Sequence, residues 1–165
     1  MDFKSLNDDQ IDELITGKLV FDNGALSPIL TAHLFIERVL EELMSARLTN
    51  PKRLLENRGL TFELKVDLAR ALDTLEEKHV SAFKALNRIR NLLAHDWNYA
   101  ISLEELNSLK IEWSQIQNAA FDKAKENGPA EAGRIAVIFL CWKALALVKE
   151  TEYEQQRVAR NNSEP

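Results

Sequence analysis

Glycine and proline are scarce in this chain, five and four of 165 residues, and between Leu60 and Asn127 there is neither. A backbone with so few breakers favours long helices over short strands joined by tight turns. Apolar residues make up 45% of the chain, ordinary for a globular protein and too many for a disordered one. The length suits one domain with room for a hydrophobic core. The expectation is an all-α, single-domain helical bundle of five to six helices over residues 1–156, followed by a polar tail, 157–165, read as disordered.

Local signals place the helices. Asn7 caps a first helix over Asp8 to Thr16, with Gly17 as its stop. Phe21-Asp-Asn-Gly24 reads as a turn. Ser27-Pro28 opens a helix to about Ala46, with proline at its first position. After Asn50-Pro51 a short helical turn covers Lys52 to Asn57. Thr61 caps a helix from Phe62 to about Leu72, with Phe62, Leu64/Lys65, Leu68 and Leu72 as its buried stripe. Asp73-Thr74 is the exit, and Glu76-Glu77 begins the next helix. Ser102-Leu-Glu-Glu105 is a capping box, and the helix it opens is expected to continue to Asn127, with Gly128 as its stop. Pro129 starts a last helix reaching roughly Gln156. That helix is apolar around much of its circumference, which suits either a central core position or an interface.

The formal charge of −5 repels bare nucleic acid at long range, yet Lys84, Arg88 and Arg90 form a local cationic cluster. Cys141 is the single cysteine and reads as a small buried hydrophobe. The first residues lack a signal peptide's apolar core, and the longest apolar run, Ile135 to Trp142, is too short to span a bilayer. A cytoplasmic protein with no membrane association is expected. His33 and His79 have no Cys or carboxylate partner at metal-ligand spacing and read as structural or surface residues. No metal or cofactor is expected, since Gly-rich phosphate loop, nucleophile elbow and zinc motif are all missing.

The chemically loaded segment is Ser81 to Tyr99. Ala82, Leu86, Ile89 and Leu93 fall on one helical face. Asn87, Asn91 and His95, at i, i+4 and i+8, form a polar stripe away from it. Arg90 lies on the flank nearest Asn87, about 140° from His95 in projection at roughly 100° per residue, so the two need not touch within one chain but can border the same groove. Histidine titrates near neutrality and both accepts and donates protons. Arginine offers a planar, permanent cation to phosphate oxygens and to charge developing on a phosphorane, and asparagine orients a hydroxyl or the imidazole. Such a set suits metal-independent cleavage of RNA, with the ribose 2′-hydroxyl as nucleophile and a 2′,3′-cyclic phosphate as product. A single such His per chain supplies the acid or the base; a symmetric dimer supplies both. Spacing alone also fits a histidine that caps the helix C-terminus and interacts with its dipole.

Asn87-Arg-Ile-Arg-Asn-Leu-Leu-Ala-His-Asp96 resembles the Arg-polar-x-x-x-His signature of the HEPN superfamily (higher eukaryotes and prokaryotes nucleotide-binding domains). The preceding Leu60-Thr-Phe-Glu-Leu-Lys-Val-Asp-Leu-Ala-Arg-Ala-Leu72 is similar to the neighbouring helix of its mannitol operon repressor-like branch. Ala32-His-Leu-Phe-Ile-Glu-Arg-Val-Leu-Glu-Glu-Leu43 fits that branch's second helix, so the resemblance covers about residues 26 to 100. It implies a HEPN-like helical bundle that dimerises so that two motifs form one RNA-binding cleft. Arg90 and His95 would be the catalytic pair, Asn91 and Asn87 supporting polar residues, and Arg88, Lys84 and Trp97 candidate RNA contacts, Trp97 by stacking a base or by packing at the helix end. The implied function is an endoribonuclease, in the role of a toxin or defence effector with an antitoxin or regulatory partner. Some members of the superfamily are not nucleases, and the mannitol repressor branch is associated with transcriptional regulation, so a non-catalytic regulator or interaction module is the alternative. The chain shows no helix-turn-helix reading helix. Glu37 and Glu41, one turn apart, either approach the His95 groove or form a solvated face.

Overall fold

A computed structural model describes residues 7–16, 28–96 and 99–161. Among these residues the chain forms eight helices and no strand: α1 (Asp8–Thr16), α2 (Pro28–Arg47), α3 (Pro51–Leu55), α4 (Phe62–Ala71), α5 (Glu77–His95), α6 (Leu103–Asn107), α7 (Gln115–Lys125) and α8 (Pro129–Asn161). The expected Ser27 cap, Gly17 stop and Phe21–Gly24 turn, together with Trp97, lie outside the described residues.

Most helix ends follow from local hydrogen bonding. Asn7 Oδ1 accepts the Gln10 N–H at 2.9 Å while the Asn7 N–H reaches Gln10 Oε1 at 3.0 Å, a reciprocal cap for α1. Thr61 Oγ1 accepts the Leu64 N–H at 3.3 Å to start α4. That helix leaves through Asp73, whose φ of 54° is the left-handed region that a short polar side chain tolerates. The Thr74 N–H and hydroxyl then both close on the Ala69 carbonyl. The capping box at Ser102 and Glu105 is complete. Gly128, at φ 99°, ends α7, and Pro129 opens α8 at the position where its missing N–H costs nothing.

One expected helix is in fact two. In place of an unbroken segment from Ser102 to Asn127, the chain leaves helix after Asn107 and re-enters it at Gln115. Between them Leu109 and Ile111 are fully buried, Glu112 takes a φ of 45°, and Trp113 sets its ring edge against Phe121 and Phe139 at centroid distances of 5.2 and 5.3 Å. Burial of those three apolar side chains outweighs local helix propensity. A second capping box, Ser114 with Gln117, restarts the helix. At the other end, α8 runs through Asn161, beyond the expected exit at Gln156, with no glycine or proline after Gly133 to interrupt it.

The core lies between α2 and α8, which share the most extensive helix–helix interface. Ile36, Val39, Leu40, Leu43 and Met44 of α2 face Ala136, Val137, Leu140, Cys141 and Ala144 of α8, all essentially sealed from solvent. The small residues of α8 let the two backbones approach, and α8 is thereby central to the core. The free thiol of Cys141 is buried there, and burial pushes its pKa far up. Helices α6 and α7 cover a second side of α8, and α1 docks on it. On the opposite side of α2, α4 and α5 pack against α2 and against each other. That three-helix corner carries the motif. No helix of the described residues is long and apolar enough to cross a membrane.

Candidate functional site

Helices α2, α4 and α5 enclose an open cleft of about 430 Å³ lined by His33, Glu37, Thr61, Phe62, Glu63, Asn87, Arg90 and Asn91. Helical spacing explains its make-up: His33 and Glu37 are one turn apart on α2, and Asn87, Arg90 and Asn91 share a face of α5 at i, i+3 and i+4. Thr61, Phe62 and Glu63 form the capped first turn of α4.

His33 and Phe62 make the floor. Their rings stack with centroids 4.1 Å apart and an interplanar angle of 27°, and both residues are buried. His33 Nε2 lies 3.0 Å from Asn87 Oδ1, and because a carbonyl oxygen only accepts, this nitrogen carries the proton. Asn87 Nδ2 in turn donates to Glu63 Oε1 at 3.3 Å. The result is a directed chain from His33 through Asn87 to the Glu63 carboxylate at the rim. His33 Nδ1 is buried and unpartnered. Burial holds the His33 pKa below its ordinary value; the Asn87 hydrogen bond opposes that shift and the Arg90 charge adds to it. The imidazole is therefore a neutral, structural donor at neutral pH.

Arg90 is half-buried at the cleft wall. Its Nη1 donates to Asn91 Oδ1 at 2.9 Å, so the Asn91 oxygen is engaged and its Nδ2 hydrogens are the donors it has left. Arg90 Nε is buried without a partner. The cleft therefore presents a cation, an amide donor and a carboxylate around an aromatic floor.

Behind Glu37 stands a second device. Lys65, on α4, reaches across to α2 and donates to Glu37 Oε1 at 2.8 Å and Glu41 Oε1 at 2.7 Å. Burial alone would lower its pKa, but the two carboxylates outweigh that and hold the ammonium above its ordinary range. Glu41 also accepts from Arg38.

Several expectations change here. Asn87 is not on an outward stripe: it is 7% exposed, turned into the α2–α4–α5 corner, whereas Leu93, expected in the core, is 37% exposed. His33 is a buried, hydrogen-bonded part of the cleft. Of the expected pair, Arg90 lines the cleft, while His95 is exposed on the last turn of α5 and is not part of its lining. Lys84 is bound to Asp67 of α4 at 2.6 Å, so its charge is already paired; Arg88 is exposed. Glu37 and Glu41 are neither a plain solvated face nor lining a His95 groove: both hold Lys65, and Glu37 borders the cleft beside Arg90. His33, Thr61, Phe62, Glu63 and Lys65 lie in the two flanking segments that resemble the family, but none was a candidate site residue. The one local signal is Lys65 itself, a cation on the buried stripe of α4 that demands acidic partners. Beyond the motif, the Tyr99 hydroxyl donates to Glu105 at 3.0 Å, and burial together with that carboxylate leaves its pKa pushed up to about 12. No protein-family model, curated protein or solved structure matches this chain.

Proposed function

We propose that the chain is a HEPN-type, metal-independent endoribonuclease that acts on single-stranded RNA as a homodimer, in a toxin or defence setting. The observation that carries the reading is the division of the motif. Arg90 faces an open polar cleft, while His95, one and a half turns further along the same helix, stands free at its solvent-exposed end. A chain that separates its cation from its imidazole is suited to a composite site in which a two-fold axis brings the two motif ends together. In the reaction, one His95 takes the proton of the ribose 2′-hydroxyl as its oxygen attacks phosphorus. The second His95 returns a proton to the departing 5′-oxygen, and Arg90 neutralises the charge on the phosphorane. The products are a 2′,3′-cyclic phosphate and a 5′-hydroxyl.

The test is cleavage of single-stranded RNA in the presence of EDTA by wild type, Arg90→Ala and His95→Ala. Cleavage by the wild type alone is expected. Identical traces for wild type and His95→Ala overturn the reading. One observation favours a non-catalytic regulator or interaction module instead: Glu37 and Glu63 place two carboxylates beside Arg90, and these repel a phosphate chain. That account expects an inert protein whose Arg90→Ala variant changes partner binding or the monomer–dimer balance.

A further inference from the structure

One of the two carboxylates that repel phosphate is placed to meet a base instead. We infer that the α2–α4–α5 cleft is a guanine-binding subsite, with Glu63 and Asn91 reading the base and Arg90 left facing the phosphate. The inference rests on that cleft being the RNA face of the proposed endoribonuclease.

The cleft volume of about 430 Å³ lies within the range of small-molecule sites, roughly 300–1,000 Å³. Its floor is the packed His33–Phe62 aromatic pair, against which a flat heterocycle excludes water. Its rim offers an acceptor and a donor whose orientations are set from behind. The chain His33 Nε2–H to Asn87 Oδ1, then Asn87 Nδ2–H to Glu63 Oε1, fixes the carboxylate. Glu63 spends one oxygen on the single Asn87 N–H, whereas Glu37 is held by the Lys65 ammonium at 2.8 Å. The Arg90 bond engages Asn91 Oδ1 and leaves the Nδ2 hydrogens as the donors that this cleft-lining residue can offer.

A carboxylate beside an amide N–H selects among bases by hydrogen-bond pattern. Guanine alone carries two adjacent donors, N1–H and the 2-amino group, that meet both oxygens of a carboxylate, with O6 next to them to accept from the amide. Adenine and cytosine each set a ring-nitrogen lone pair beside their amino group, which a carboxylate repels. Uracil has one donor between two acceptors. The base can come from RNA or from a free nucleotide.

Calorimetric titration of the full-length chain with GMP, IMP, AMP, CMP and UMP tests this without any cleavage. GMP is expected to bind about ten-fold or more tighter than the others, the size of one bidentate contact. IMP, which lacks only the 2-amino group, should lose most of that advantage. Glu63→Gln, at an exposed position, should abolish the preference, whereas Arg90→Ala should weaken all five nucleotides and, by releasing Asn91, reduce the preference without abolishing it. Equal affinities, undetectable GMP binding, or a preference unchanged in Glu63→Gln overturns the inference. A second arm compares uncleaved single-stranded oligouridine with and without one guanosine. An advantage for guanosine assigns the site to RNA; none, with GMP preferred, assigns it to the free nucleotide with the guanine chemistry intact. Guanine preference without cleavage keeps this inference and removes the ribonuclease reading. Cleavage without base preference does the reverse.

Discussion

Lys65 is the residue whose replacement most directly tests how α2 and α4 are held around the cleft. Its side chain is 7% exposed, against 27% for Glu37 and 23% for Glu41. Removing one partner of a buried ion pair costs roughly 3–5 kcal/mol, because the charge left behind is stranded. Here the stranded groups are two carboxylates about a quarter exposed, which water can partly reclaim, and Glu41 retains Arg38 at 3.1 Å. The expected cost of Lys65→Met therefore falls to about 2 kcal/mol, since the thioether chain refills the space of the lysine stem. Lys65→Ala adds a cavity and should cost about 3–4 kcal/mol. At roughly 2–4 °C per kcal/mol for a domain of this size, Lys65→Met should melt about 4–8 °C below wild type. Thermal melting followed by far-ultraviolet circular dichroism at neutral pH reads this. Combining Lys65→Met with Glu37→Gln should recover part of the loss, because the stranded charge and not the missing bond dominates. A Lys65→Met protein as stable as wild type refutes the reasoning, and so does a double variant less stable than Lys65→Met.

Two further outcomes follow from buried polar groups. Asn87→Leu leaves the His33 Nε2–H and the Glu63 carboxylate without their shared partner and should cost about 1–3 kcal/mol in urea unfolding; an unchanged midpoint denies the hydrogen-bond chain. His33 and His79 both have pKa values held below the ordinary range, chiefly by burial. In the unfolded chain each protonates near pH ~6.5, so the unfolded state binds more protons and stability falls as pH drops below that value toward the folded pKa values. Replacing His79 with Leu should flatten the stability–pH slope just below pH ~6.5, and equal slopes for the two proteins contradict the assignment.

The helix ends were legible because their chemistry is local. Asn7, Thr61, Ser102 and Gly128–Pro129 each satisfy or terminate backbone donors and acceptors within a turn, and such signals need no knowledge of the rest of the chain. The break between α6 and α7 was not legible from propensity, because Leu109-Lys-Ile-Glu-Trp113 contains no breaker. It is imposed by where Leu109 and Ile111 are buried, with Glu112 strained to a positive φ to let them in. The Ser114–Gln117 capping box did encode the restart. Composition hides it, because no glycine or proline stands between Leu60 and Asn127.

The site was harder, for a reason specific to α5. A helical projection assigns one face to the core, but α5 is covered by both α2 and α4, and two neighbours bury a wider arc than one. Asn87 lies in that extra arc, and its burial is compatible with folding because His33 and Glu63 satisfy its oxygen and its nitrogen. Leu93, nearer the C-terminal end, is half-exposed in spite of its core periodicity. The same geometry separates the motif's two chemical groups, since Arg90 sits inside the covered stretch of α5 and His95 at its exposed end. The motif therefore marks one wall of the cleft, while the residues that Asn87 bonds across it lie 24 or more positions upstream, at Glu63 and at His33. A single His95 side chain, standing apart from the Arg90 cleft of its own chain, is the feature that makes the dimer the decisive unit for the proposed chemistry.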